Sequence, residues 1–261
     1  MATPDSAREP DAVAIAALPP HPLWLLGEQH DAPAHQSLQK DVVRTLAAQG
    51  RLAALVIEMA EAGRDTGGLG QDAPEARVRE ALGWTADRGG WPWDTYRDAI
   101  MAAVKAGVAV HGGNLPRPRQ REVMADASLD RTLDHDSLVR QQALVRDGHC
   151  GLLPESQIAP MTRIQLARDR SMAQQAQRLV QPGKTVLLIA GNEHVRRDLG
   201  VPRHLDPALP LLVLQARSRP HNPSVTDGQA PGPAPQADFT WLTEPVPERD
   251  YCGELRRQLA R

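Results

Sequence analysis

Two segments of the chain run from an apolar stretch into a glycine that is followed three residues later by a histidine. They are LWLLGEQH at 23–30 and VLLIAGNEH at 186–194, and a third apolar stretch, LAALVIE, ends at Glu58. Carboxylates and imidazoles that share a cleft can transfer protons as general acids and bases. This pattern gives four candidate catalytic residues: Glu28, His30, Glu58 and His194. The two imidazoles, His30 and His194, are also candidate ligands for a divalent metal.

The same residues also have an ordinary structural explanation. A glycine at the end of a strand is common in turns, and a single histidine beside it often makes only a local hydrogen bond. The acids are harder to explain in this way, because a carboxylate at the end of an apolar strand costs free energy unless a partner compensates its charge. The residues alone leave a hydrolytic site, a metal site and a site for a ligand carboxylate as alternatives.

The elements that must position these residues are short apolar runs, each followed by a segment with helical spacing. The runs are LWLLGE, LAALVIEM, VAVHGGN, TVLLIAGN and LPLLVLQA. Such alternation predicts an α/β fold, a mostly parallel β-sheet flanked by helices. Because the carboxyl ends of parallel strands meet at one edge of a sheet, the polar residues that end these runs are expected to lie together.

The composition of successive segments predicts the domain organisation. An α/β sheet domain is interrupted by a smaller helical subdomain, where apolar residues recur at helical spacing. A Pro- and Gly-rich stretch near the end is typical of a mobile loop. The predicted boundaries are 1–20 for a disordered N-terminal segment, 21–116 and 183–261 for the sheet domain, 117–182 for the helical insertion and 217–238 for a flexible loop.

Charge and cysteine content exclude several classes of protein. The net charge of −2 and the pI near 6.5 give no strong field for nucleic acid, so no nucleic-acid partner is expected. The chain has only Cys150 and Cys252, which allows at most one disulfide bond and argues against a disulfide framework. No apolar run reaches the length of a transmembrane segment.

Several blocks in order, among them LLGEQHDAPAHQ, ALVIEM, WPWDTYRDAI, GHCGLLPE, ARDRSMA and LIAGNEHVRRDLGVPRHL, resemble the ChaN family of haem-binding proteins. The resemblance covers roughly Leu23 to Leu205. It implies haem as the cofactor, a role in iron uptake or haem handling, and a homodimer that holds haem between two subunits. It also implies a periplasmic or membrane-associated location, whereas a native start at Met1 would favour the cytoplasm.

The family resemblance further implies a tyrosine oxygen as the iron ligand. Tyr96, in WPWDTYRDAI, is the first candidate because it is the tyrosine inside the matched blocks, although it could instead pack Trp91 and Trp93 against the sheet. His149 and Cys150, in GHCGLLPE, are rival haem-binding residues.

Relatives in the wider superfamily, which includes the Tiki proteases and the erythromycin esterases, place Glu and His at strand ends. An esterase- or peptidase-like hydrolase, with or without a metal, is therefore the alternative function. Arg168, in ARDRSMA, could add a cation to the same edge or lie on a solvated helical face.

Overall fold

The computed structural model describes residues 11–84, 91–220 and 236–259, and in these ranges six parallel strands form one sheet. The strands are β1 (Leu23–Glu28), β2 (Leu52–Glu61), β3 (Val110–Asn114), β4 (Thr185–Gly191), β5 (Leu211–Ser218) and β6 (Phe239–Thr243). Their order across the sheet is β3-β2-β4-β1-β5-β6, with every neighbouring pair parallel. The predicted α/β fold with a parallel sheet is therefore confirmed.

The helices cover both faces of this sheet. They are α1 (Ala12–Ala16), α2 (Pro33–Ala48), α3 (Glu75–Ala81), α4 (Trp93–Lys105), α5 (Gln120–Ala125), α6 (His135–Gly148), α7 (Glu155–Arg178), α8 (Asn192–Val195) and α9 (Tyr251–Leu259). Helices α2 and α4 pack together on one face, and α7 packs on the other against β2, β3 and β4. None of the helices in the described ranges is long and apolar enough to cross a membrane.

The central strands are apolar throughout because both of their faces are buried. Every residue of β1 and of β4 is buried, and alternate side chains enter opposite cores. Trp24 and Leu26 lie in the core beneath α2 and α4, whereas Leu23 and Leu25 pack toward α7. This double coverage explains why the strands appear in the sequence as continuous apolar runs rather than as alternating patterns.

The helical region between β3 and β4 shares α7 with the sheet. Ile164 and Leu166, in the middle of α7, pack in a small core with Val123 of α5. Met172 and Ala173, closer to its C-terminal end, pack in the core on the sheet. One long helix thus belongs both to the predicted helical insertion and to the layer that covers the sheet.

Two segments predicted to lack regular structure are partly ordered. The Asp11 carboxylate caps α1 by accepting from the Ala14 backbone N–H at 2.8 Å, and Ile15 is fully buried in the core. Strand β5 continues to Ser218, inside the predicted flexible loop. An apolar contact orders the first segment, and the pairing of β5 with β6 orders the start of the second. Residues 1–10 and 221–235 of these segments lie outside the described ranges.

A disulfide bond between Cys150 and Cys252 joins the turn after α6 to the C-terminal helix α9. The chain therefore forms the single bridge that its cysteine content permits. The two residues are 102 positions apart, so the bond closes most of the second half of the chain into a loop.

Replacing Cys252 with serine should lower the free energy of unfolding by about 2–5 kcal/mol, because a long disulfide-closed loop restricts the unfolded chain. Urea denaturation of Cys252→Ser and of the wild-type protein measures the difference. Reduced wild-type protein should unfold at the same urea concentration as the variant. Equal midpoints for the oxidised wild type and the variant would contradict a stabilising bridge.

Candidate functional site

The acids and imidazoles identified from the sequence meet at the carboxyl edge of the sheet. Glu28 ends β1, Glu58 lies in β2, and His194 lies in α8, immediately after β4. Strand β4 runs between β1 and β2, and Glu28 of β1 is paired with Gly191 of β4. The strand order therefore places all three elements side by side, as the sequence pattern predicts.

Glu28 is a buried carboxylate, and both of its oxygens have hydrogen-bond partners. Its Oε1 accepts from the Tyr96 hydroxyl at 2.8 Å and lies 2.9 Å from His30 Nδ1. Its Oε2 accepts from the amides of Gln36 and Gln39 at 2.7 and 2.5 Å. With both oxygens engaged in this way, Glu28 holds the His30 ring and the Tyr96 ring in place and is poorly suited to act as a free base.

Glu58 is also buried, but it lies between two imidazoles. Its Oε2 accepts from the Gly191 backbone N–H at 2.8 Å and lies 3.8 Å from His30 Nε2, while its Oε1 lies 3.5 Å from His194 Nε2. Burial alone would raise the pKa of Glu58, but the charges of His194 and His30 and the hydrogen bonds hold the pKa well below its usual range. Glu58 is therefore an anion at neutral pH.

Asp169 on α7 completes the cluster, and the sequence analysis did not identify it. Its Oδ1 lies 2.6 Å from His194 Nδ1, so His194 bridges two buried carboxylates. Burial raises the pKa of Asp169 to about 6, although the His194 charge opposes this rise. Burial lowers the pKa of His194, because it disfavours the charged imidazole. The charges of Glu58 and Asp169 outweigh this effect and raise the His194 pKa well above 6.5.

A sequence signal for Asp169 was available. An acid occupies the apolar stripe of α7, which is formed by Leu166, Met172, Ala173 and Ala176.

The side chains form a continuous line of alternating acids and imidazoles from Asp169 through His194, Glu58 and His30 to Glu28. Burial lowers the pKa of His30, but the Glu28 hydrogen bond and the Glu58 charge outweigh burial and raise it. Both imidazoles therefore favour the charged form, and their two positive charges offset part of the charge of the three carboxylates. Such a line holds protons on its two imidazoles, while Glu58 at its centre stays an anion.

Each glycine of the repeated pattern makes room for the other copy. A Cβ at Gly27 would overlap Asn192 Oδ1 and Val195 Cγ2 of α8. A Cβ at Gly191 would lie 2.9 Å from His30 Nε2. Adjacent parallel strands that end at the same level bring each turn against its neighbour, so both turns need a residue without a side chain. This reciprocal packing explains why the two strands end alike.

A cleft of about 460 Å³ lies beside the cluster, with Glu58 in its wall. Apolar and aromatic side chains line part of it: Met59, Ala60, Leu82, Trp84, Trp91 and Leu115. Polar side chains line the remainder: Glu58, Glu61, Arg64, Asn114, Arg117, Gln120 and Arg168. Trp91 also stacks on His30 with ring centroids 4.0 Å apart, so it connects the cleft to the line of acids and imidazoles.

The candidate iron ligands lie in separate places. Tyr96 is buried beside the cluster, and burial and the Glu28 charge raise its pKa well above the usual range. The His149 ring hydrogen-bonds to the Val145 carbonyl through Nδ1 at 2.7 Å, and Cys150 is bonded to Cys252. Neither Tyr96 nor His149 is among the described residues that line the cleft. Their predicted roles in haem binding stay predictions.

The described residues do not support the predicted divalent metal site. They contain no group of three or more His, Cys, Asp or Glu side chains arranged to hold a metal ion. The physical reason lies in the pairing, because His30 and His194 each direct Nδ1 at a carboxylate and Nε2 toward Glu58. The three carboxylates and two imidazoles pair with one another and do not converge on an open position.

Residues 14–205 match the model of a family described as haem-binding uptake, Tiki superfamily, ChaN. In three dimensions the chain is similar to ChaN of Campylobacter jejuni, whose structure is described as showing cofacial haem binding, with a TM-score of 0.67 and 18% identity over 88% of this chain and 89% of that one. The type III effector HopBA1 matches over 94% of this chain and 100% of its own, with 12% identity and a TM-score of 0.43. No curated protein matches the chain in sequence.

Replacing Gly191 with alanine should lower the free energy of unfolding by about 1–3 kcal/mol, because the added Cβ would press on the His30 ring in a packed site. Urea denaturation measures the loss. Gly148→Ala is the matched control, since Gly148 lies on α6 with nothing within 4 Å of an added Cβ. The control should be neutral or more stable by up to about 1 kcal/mol. Equal stability of the two variants would contradict the reciprocal packing of the turns.

Proposed function

Because the chain belongs to the ChaN family of the Tiki superfamily, we propose that it binds haem and that the cleft beside Glu58 holds the ligand. The observation that carries this proposal is the cleft itself, which combines an aromatic wall with several cations. Its volume lies in the range of small-molecule and cofactor sites. Haem supplies an iron centre that binds or exchanges axial ligands, and the protein supplies the pocket.

The fit of the cleft to haem rests on shape and chemistry together. Trp84 and Trp91 present aromatic surface, and Leu82 and Leu115 add aliphatic surface, as a flat apolar macrocycle requires. The Trp84 indole N–H donates to the Trp91 carbonyl at 2.9 Å, which fixes the relative position of these two residues. The wall is thus held in place before any ligand arrives.

The axial ligand is a separate question. Tyr96 would have to release Glu28 before its oxygen could bind iron, and its raised pKa opposes the phenolate form. Met59 is the residue in the described lining whose thioether is a known type of haem ligand. Among the described lining residues there is no tyrosine, histidine or cysteine.

A role in iron uptake and a homodimer that shares haem are finer proposals, supported by the family description and by the cofacial haem described for the Campylobacter jejuni protein. Light scattering on size-exclusion chromatography, with and without haemin, addresses the dimer. A molar mass that doubles with haemin supports sharing between subunits. A molar mass that stays at one chain with haemin bound would contradict it. The hydrolase alternative finds no support in the family description.

Haemin titration of the purified protein should give a saturable Soret shift. Gln120→Trp should weaken this binding about tenfold or more, because a large ring would fill space in the cleft that Gln120 lines. Gln157→Trp is the matched control, since Gln157 is exposed on α7 and does not line the cleft. Absence of a Soret shift with folded wild-type protein would contradict haem binding. Equal affinities of the two variants would place the haem elsewhere.

Replacing Tyr96 with phenylalanine should leave the Soret spectrum of the haemin complex unchanged. The hydroxyl group that this change removes donates a hydrogen bond to Glu28 and does not bind the iron in this arrangement. Absorption spectra of the two complexes provide the measurement. Tyr251→Phe makes the same chemical change at a half-exposed residue of α9, away from the described cleft lining. A shifted spectrum in Tyr96→Phe alone would show that Tyr96 binds the iron.

A further inference from the structure

The lining of the cleft carries an excess of positive charge. Three arginines and two glutamates contribute to it, and guanidinium groups stay protonated at any physiological pH. The charge of Glu58 is already balanced by the imidazoles of His30 and His194. Glu61 is therefore the acid of the described lining that is not engaged with the imidazoles.

Of the three arginines in the cleft lining, Arg168 is nearest in the chain to the cluster, because it immediately precedes Asp169 on α7. It is half-buried, and its Nε is fully enclosed without a hydrogen-bond partner in the described ranges. No carboxylate of the described residues forms an ion pair with its side chain, although its charge lowers the pKa of Asp169. A guanidinium that loses water without gaining an anion costs free energy, so this arrangement favours an anionic partner from outside the chain.

Arg64 lines the same cleft from the loop that follows β2. Its side chain is exposed, and within the described parts of the chain it too has no ion pair. Gly83 leaves space for it, because a Cβ at Gly83 would lie 3.2 Å from Arg64 Nε. Gly83 also has a φ of +63°, which disfavours any larger residue at this turn. The turn after α3 thus keeps a second cation beside the cleft.

We propose that Arg168, assisted by Arg64, binds the carboxylates of the ligand and so selects a carboxylated macrocycle over an uncharged one. This inference rests on the proposed function, for which the carboxylates are the propionates of haem. The planar guanidinium can donate two parallel N–H groups to one carboxylate, which gives direction as well as charge. The aromatic wall would then bind the macrocycle, and the arginines would set its orientation.

The test compares haemin with haemin dimethyl ester, in which the propionates carry no charge. Both are titrated into the wild type, Arg168→Gln and Arg170→Gln, with tryptophan quenching and the Soret band as readouts. Arg170 is an exposed residue of the same helix and provides the matched control. Wild-type protein should prefer haemin by about tenfold or more, and Arg168→Gln should lose this preference by weakening haemin alone. Arg170→Gln should behave as the wild type.

The outcomes separate the inference from the function on which it rests. Haemin binding by the wild type with no preference over the ester, or an unchanged preference in Arg168→Gln, would overturn the role of Arg168 and leave haem binding intact. Failure of the wild type to bind either compound would overturn haem binding itself. Arg168→Lys, which keeps the charge but not the paired donors, should recover part of the lost affinity if the variant protein is folded.

Discussion

The arrangement of the site depends on one requirement, the compensation of a buried carboxylate at Glu58. An anion enclosed at the end of a central strand is tolerated only when cations and hydrogen-bond donors surround it. Here the turn after β1 brings His30, β4 brings the Gly191 N–H, and α8 brings His194. His194 in turn needs Asp169, and His30 needs Glu28. Each further member of the cluster follows from the one before it, which accounts for the alternation of acids and imidazoles.

The sheet order makes this compensation possible. Strand β4 is inserted between β1 and β2, although it comes last of the three in the chain, so two distant segments of the sequence become immediate neighbours. Because β1 and β4 are parallel and in register, their turns emerge at the same level and compete for the same space. The absence of a side chain at Gly27 and at Gly191 resolves that competition. The repeated glycine is therefore a packing solution first, and it permits the chemistry second.

The sequence predicted the parallel sheet and the meeting of Glu28, Glu58 and His194, because apolar runs and the polar residues that end them follow directly from strand geometry. It did not predict Asp169 as a partner of His194. Asp169 is separated from His194 by a helix and a strand, and only tertiary packing brings them within 2.6 Å. Helix α1 also formed against expectation, since the burial of Ile15 in the core stabilises it. Long-range contacts of this kind leave little trace in local composition.

Arg168 and Asp169 are consecutive residues of one rigid helix, and this links the cleft to the acid–imidazole line. Burial raises the pKa of Asp169, and His194 and Arg168 both lower it. A ligand carboxylate beside Arg168 would offset part of that cation's field, and the Asp169 pKa, already near 6, would rise further. Ligand binding in the cleft would then favour proton uptake by Asp169, so ligand affinity would increase as the solution becomes more acidic.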